Sequence, residues 1–318
     1  MAKTPPPKKT PPTRAVATRT PAKAGAGRPA GLLTWIAVGL VVVVVAALVI
    51  IKVSSGSSPN PKGTFQPTDA ATLAQLTAVP TSVFDTVGVT STVAAVTKPI
   101  TLKGQPLLTG TSSTGATLPK VFYLGSEYCP FCAAERWPTI IALSRFGTWS
   151  GLGDTISSTR TGEAYPGTPS FTFWKANFTS TYLTFSGVEQ NTNIWSNAIG
   201  NYTPLQTPSK AELANFKKYD TSKYIPGSNV QQNYSIPYLS IGNQYLISGA
   251  SYTPAALANL TRSQIASSLS DPTNPVTQAI IADANLQTAT FCTLTKNLPA
   301  SVCSSKGVMA AKKVMGIK

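Results

Sequence analysis

The chain has 318 residues, a net charge of +15, 42% hydrophobic residues, four cysteines and no histidine. That length holds one large domain or two small ones, each with a real core. Without histidine, a four-ligand zinc site would need all four cysteines at once, and haem attachment through CxxCH is excluded because Ala133 stands in the last position.

Residues 1–30 carry seven basic side chains (Lys3, Lys8, Lys9, Arg14, Arg19, Lys23, Arg28) and no acid, in a background of Pro and Ala. No apolar face recurs, so a disordered arm is expected. A nucleic-acid-binding tail is one reading of such charge. The next segment favours another, with no nucleic acid involved. From Gly31 to Ile51 run 21 residues without a charge. At about 1.5 Å per residue they reach roughly 30 Å, the span of a bilayer core. The run is too long for a signal-peptide core and ends without a small-residue cleavage site. It predicts an uncleaved transmembrane helix held in membrane lipid, with the basic arm in the cytoplasm and touching anionic headgroups. The remainder would then lie outside the cell membrane, where disulfides persist.

Residues 52–66, rich in Ser, Pro and Gly, predict a linker, and residues 67–318 an extracytoplasmic domain. A short helix is expected from Thr68 to Ala78, started by Thr68 or Asp69. Short β-prone pieces follow over 82–109, then the polar loop TSSTGATLP. An apolar strand from Val121 to Leu124 turns at Gly125, and Cys129 falls at the start of a helix whose first position is Pro130. Pro138 should kink that helix by removing a backbone donor. FTFW (171–174) and YLTFSGV (182–188) predict strands. Residues 191–234 predict an insertion with a helix over about 209–219. PYLSI and QYLIS form a hairpin across Gly242-Asn243, and helices are expected over 253–269 and 274–289. The alternation predicts a mixed α/β sheet with flanking helices. Near the C-terminal end, LTKNLPAS contains Asn297 and Pro299, which let the chain turn back. Cys292 and Cys303 are therefore expected to form a structural disulfide around ten intervening residues, at roughly 2–3 kcal/mol of stability.

The stretch GSEYCPFCAAERW holds the remaining pair, Cys129 and Cys132. As a purely structural disulfide it would close a very small loop and add little. As a redox pair it has a mechanism. A thiol at a helix start meets unpaired N–H groups and the positive end of the helix dipole, both of which favour thiolate. Cys129 would attack a partner disulfide, and Cys132, one turn further in, would resolve the mixed disulfide. No metal or cofactor is needed. Glu127 is a candidate for proton transfer with Cys132, the alternative being a solvated loop acid. Glu135 and Arg136 are expected in a surface role, the alternative being catalysis, and Trp137 in the core, the alternative being the rim of a partner groove. Phe131 is expected exposed, where it could shape a substrate groove, and Tyr128 is a second candidate for its border. The Asn-x-Ser/Thr sequences at Asn177, Asn201, Asn233 and Asn259 are attributed to chance in a Ser/Thr-rich chain.

VFYLGSEYCPFC with the later Ile236-Pro237 resembles the thioredoxin superfamily. GSEYCPFCAAERW, ALSRFGTWSGL and CTLTKNLPASVC resemble more closely an uncharacterised prokaryotic family, described only as a domain of unknown function, thioredoxin-like and often membrane-anchored. The resemblance spans about residues 65–305. It implies a thioredoxin-like fold, with a cis peptide bond before Pro237 beside the CxxC and the Ile236 backbone free to pair with an extended substrate. Two departures are visible: the span from Cys132 to Pro237 is longer than in thioredoxin, and Pro-Phe lacks the His of strongly oxidising relatives. The expected function is a membrane-anchored, extracytoplasmic thiol–disulfide oxidoreductase acting on cysteine-containing exported proteins, served by a membrane redox partner that the chain does not identify. The alternatives are a reductase for cytochrome or metal-site assembly, and a non-enzymatic envelope binding module whose CxxC is a structural disulfide.

Overall fold

The computed structural model of the chain describes residues 65–93 and 95–317. The basic arm, the apolar run from Gly31 to Ile51 and nearly all of the linker lie outside the described residues. Among the described residues no helix is long and apolar enough to cross a membrane.

The first helix, α1 (Ala70–Thr77), begins where the Asp69 carboxylate accepts the Thr72 N–H at 2.9 Å. Residues 82–87, expected to be β-prone, instead belong to helix α2 (Thr81–Val87). Val83, Phe84 and Val87 fall on one helical face and are buried. Asn285 also donates to the carbonyls of Phe84 and Gly88 at its end, at 2.9 and 2.7 Å. Burial against distant helices overrides local β preference here.

Strands β1 (Ile100–Thr101) and β2 (Thr109–Thr111) lead to β3 (Thr117–Gly125), whose last five residues are all buried. A strand covered on both faces reads as a continuous apolar run, as VFYL does. Helix α3 (Pro130–Ser144) follows. Its Pro138 leaves the Ala134 carbonyl without a helical donor, and the Tyr252 hydroxyl supplies one at 2.9 Å. Four short strands come next: β4 (Gly147–Ser150) pairs with β7 (Asn177–Ser180), and β5 (Gly153–Ile156) with β6 (Pro169–Thr172). Strand β8 (Thr184–Glu189) then runs parallel to β3, with Gly125 opposite Glu189.

The segment 191–234 holds more than a helix. Strands β9 (Asn191–Ser196) and β10 (Asn201–Pro204) form an antiparallel hairpin. Helix α4 (Lys210–Tyr219) follows, started by a capping box between Ser209 and Glu212. Strands β11 (Tyr238–Ile241) and β12 (Tyr245–Ser248) turn through Gly242 and Asn243, at φ 62° and 56°. Both values lie in the left-handed region that glycine and asparagine tolerate. The result is a six-stranded mixed sheet, β1-β12-β11-β3-β2, with β8 added in parallel against β3.

The helix expected over 253–269 is broken. A 3₁₀ turn (Pro254–Leu257) is separated from α5 (Arg262–Ser268) because Asn259 adopts φ 61° and Thr261 restarts the chain with its own capping box to Gln264. Helix α6 (Pro275–Leu294) runs past the expected end at 289 and is buried along most of its length. Two helices unforeseen in the sequence close the chain: α7 (Ala300–Cys303) and α8 (Lys306–Met315), the latter burying Val308 and Ala311 and tied to α2 by the Gly307 N–H donating to Asp85 at 2.8 Å.

Candidate redox site

Strand β3 delivers the chain from the core at Gly125, and a tight turn follows in which the Cys129 N–H donates to the Ser126 carbonyl at 3.2 Å. Cys129 is the N-cap of α3, and Pro130 takes the first helical position, where its missing N–H costs nothing. The Cys129 Sγ accepts the Cys132 N–H at 3.3 Å, as an N-cap side chain does. Both cysteines are free thiols. Cys129 keeps 6% of its surface exposed and Cys132 none. Across from them the Ile236–Pro237 peptide bond is cis, and the Ile236 carbonyl oxygen lies 3.8 Å from the Cys129 Sγ. Cys129, Cys132, Ile236 and the adjoining Pro237 thus come together although Cys129 and Ile236 stand 107 positions apart in sequence.

The two thiols are electrostatically unlike. Hydrogen bonding from Cys132, through its thiol and its backbone N–H, holds Cys129 below the ordinary thiol range in spite of burial, and the charge of Arg136 adds to this. Burial above all, and then the bond to Cys129, pushes Cys132 well up. The less buried sulfur is therefore the more acidic of the two and the deeper one the less acidic.

The rim is aromatic. Phe131 is 41% exposed and meets Tyr165 edge-on at 6.0 Å. Half-buried Tyr128 stacks on Tyr202 of the β9–β10 hairpin at 4.1 Å, and the Tyr202 hydroxyl bonds Ser158 and Glu163. The hairpin is anchored to the cysteine turn by the Glu127 N–H, which donates to the Asn191 carbonyl at 2.9 Å.

Of three charged residues near the turn, two depart from the sequence expectation. Glu127 is buried rather than a solvated loop acid, and burial raises its pKa to about 7, with the Thr172 hydroxyl and Arg136 opposing and Glu189 adding. Glu135 and Arg136 are fully buried rather than on the surface. Glu135 accepts from the Ser251 N–H at 2.8 Å and from Gln287 Nε2 at 2.9 Å, and burial beside Asp283 pushes its pKa well up. Arg136 grips both oxygens of Glu189 at 2.8 and 2.7 Å, and its Nη2 also reaches the Ser126 carbonyl at 2.8 Å. Such a bidentate pair is the form in which an arginine tolerates burial. The signal for it was in the sequence: α3 is apolar nearly all round, and a helix of that kind is covered on every side, charges included. Glu189, at the end of a strand, carried no comparable mark. Cys292 and Cys303 form a disulfide with Cα atoms 5.6 Å apart.

Residues 109–293 match the family described as Domain of unknown function (DUF929). The match covers more than half of the chain, so the chain belongs to this family. It takes in Cys129, Cys132, Arg136, Glu189 and the Ile236–Pro237 bond. No curated protein and no solved structure matches the chain significantly.

Proposed function

We propose that the chain is a membrane-anchored thiol–disulfide oxidoreductase, with a thioredoxin-like arrangement, that acts on cysteines of exported proteins. The observation that carries this reading is the placement of Cys129. Its Sγ caps α3, receives the Cys132 N–H at 3.3 Å and faces the Ile236 carbonyl at 3.8 Å. The central strand, CxxC, helix and later Pro-led hairpin follow the order that the sequence resemblance implies.

In the exchange, the Cys129 thiolate attacks one sulfur of a substrate disulfide. A Cys129–substrate bond forms, the substrate S–S bond breaks, and one substrate thiolate leaves. Cys132 then attacks the Cys129 sulfur, closing the Cys129–Cys132 disulfide and releasing the second substrate thiolate, while the Cys132 proton passes to a released thiolate. Two electrons have moved from the pair to the substrate. The reverse sequence oxidises a substrate dithiol. Ile236, Pro237 and Phe131 would border the substrate chain, and Glu127, titrating near neutrality, would buffer protons beside the turn. The anchor from Gly31 to Ile51 would hold the domain outside the membrane and near a membrane redox partner.

The test is covalent trapping in whole cells. Cys132→Ala should accumulate reducible high-mass adducts on Cys129, whereas Cys129→Ala should accumulate few or none. Equal trapping by both variants would reverse the assigned order. No trapping by either, with unchanged growth under thiol stress, would remove the enzymatic reading in favour of a binding module.

A further inference from the structure

Beneath the cysteine turn lie two polar groups that the exchange described above does not use. The Tyr123 hydroxyl and the Arg136 Nη1 are both buried without a hydrogen-bond partner among the described residues. A buried donor left unpaired is costly, so each of the two calls for an acceptor. Their positions indicate which. Arg136 follows Cys132 by four residues on α3, hence on the same face, and long helical side chains lean back toward the N-terminus. Its Nη2 bonds the same Ser126 carbonyl that receives the Cys129 N–H, so the guanidinium lies under the turn. Tyr123 reaches the same place from β3. Its ring lies 5.8 Å from the Arg136 guanidinium, and its hydroxyl occupies the space that a side chain on Gly125 would fill. Residue 125 must therefore lack a Cβ for the hydroxyl to lie there.

We propose that Tyr123 and Arg136 form a thiolate pocket: the two unpaired donors hold the negative charge of the Cys132 sulfur as it attacks the Cys129–substrate disulfide. The inference rests on the oxidoreductase reading and assigns the pair to its second step. Cys132 is the sulfur that needs help, because burial holds it as a thiol. Tyr123 remains a donor throughout, since burial pushes its pKa well up and the charges on both sulfurs push it further. Glu189 offsets most of the Arg136 charge but leaves Nη1 unspent. No bond to carbon forms and no outside reagent is required. The sulfur–sulfur bond made, the bond broken and the proton transferred are those of the resolving step.

The steps separate when the reduced full-length protein, in detergent, meets an aromatic disulfide whose thiolate is coloured. Attack by Cys129 releases one equivalent and resolution by Cys132 a second, slower one; Cys132→Ala identifies the second phase by abolishing it. Tyr123→Phe removes one oxygen and keeps the ring. Its first phase should stay within about twofold of the parent, and its second should slow roughly tenfold or more, the scale of one hydrogen bond to a charged group. Arg136→Lys, which keeps the charge but not the fork, should likewise slow the second phase selectively. A second phase unchanged in Tyr123→Phe overturns the pocket. Equal slowing of both phases also overturns it, because it would mean that Tyr123 only supports the shape of the site. If the parent protein releases no second equivalent, the oxidoreductase reading itself fails.

Discussion

Arg136 and Glu189 bury two full charges under the cysteine turn, and each depends on the other for that burial. Removing one partner strands the other in a medium that solvates it poorly, whereas removing both charges can be nearly neutral. Arg136→Ala should therefore cost about 3–5 kcal/mol. The double variant Arg136→Met with Glu189→Gln should recover much of that loss, read from denaturant midpoints of the single and double variants. Additive losses would contradict the coupling. Glu135 differs in having no cation opposite it among the described residues: its partners are the donors of Ser251 and Gln287, and its neighbour is the acid Asp283. Glu135→Gln keeps an acceptor there and should be tolerated far better than Glu135→Ala, which leaves those donors unmade at roughly 1–3 kcal/mol for each buried group. Thermal melting of the two variants decides it.

Among the elements, α6 and α7 are joined by Cys292–Cys303, the cysteines standing eleven positions apart in sequence. Cross-linking so short a loop stabilises chiefly by restricting the unfolded chain. The Cys292→Ser, Cys303→Ser double variant should lose roughly 2–3 kcal/mol. Its exchange at Cys129 should persist, and mild reduction of the parent should open Cys129–Cys132 first; mass mapping that finds equal lability would argue against separate roles. Helix α4 holds a different kind of joint. Tyr238 on β11 donates to Asn215 at 2.6 Å, and Asn215 donates to Asn243 in the β11–β12 turn at 2.8 Å. The helix thus braces the hairpin that follows the cis bond. The turn itself was legible from Gly242-Asn243, because few residues accept positive φ. The bracing was not, since no local pattern ties residue 215 to 243.

For the molecule as a whole, several buried carboxyl groups have raised pKa values: Asp283 and Glu127 near 7 and Asp220 near 6, in each case chiefly through burial. The sign of the linkage follows. A carboxyl whose folded pKa is raised binds its proton more tightly in the folded state, so its contribution is full below the unfolded pKa and fades as pH rises through the folded value. Asp69 and Asp271, whose pKa values are lowered chiefly by hydrogen bonds from Thr72 and Thr273, act in the opposite direction and lose their contribution as pH falls below about 4. The melting temperature should therefore peak on the acid side of neutrality and decline between about pH 5 and 8. A melting temperature that rises across that window would refute the assignment. The seven basic residues before the uncharged run make a further prediction at this scale. Protease added to intact protoplasts should digest the domain, whereas complete protection would place it in the cytoplasm.

The sequence by itself determined the features with a local cause. Asp69 and Ser209 mark helix starts because a short side-chain acceptor can serve N–H groups next to it in the chain. The strand before Gly125, Cys129 at the head of α3 and the β11–β12 turn were readable for the same reason, and Cys292 with Cys303 stood close enough to pair. Family membership also followed from the sequence. Only the tertiary structure decided which charges lie inside. The burial of Glu127, Glu135 and Arg136 depends on Thr172, Ser251, Gln287 and Glu189, far away in sequence. It also decided that α2 is a helix and that the Tyr123 ring and the Arg136 guanidinium lie 5.8 Å apart. Those outcomes rest on packing between elements, where the free energy of burial exceeds local propensity, and such packing exists only once the chain has folded.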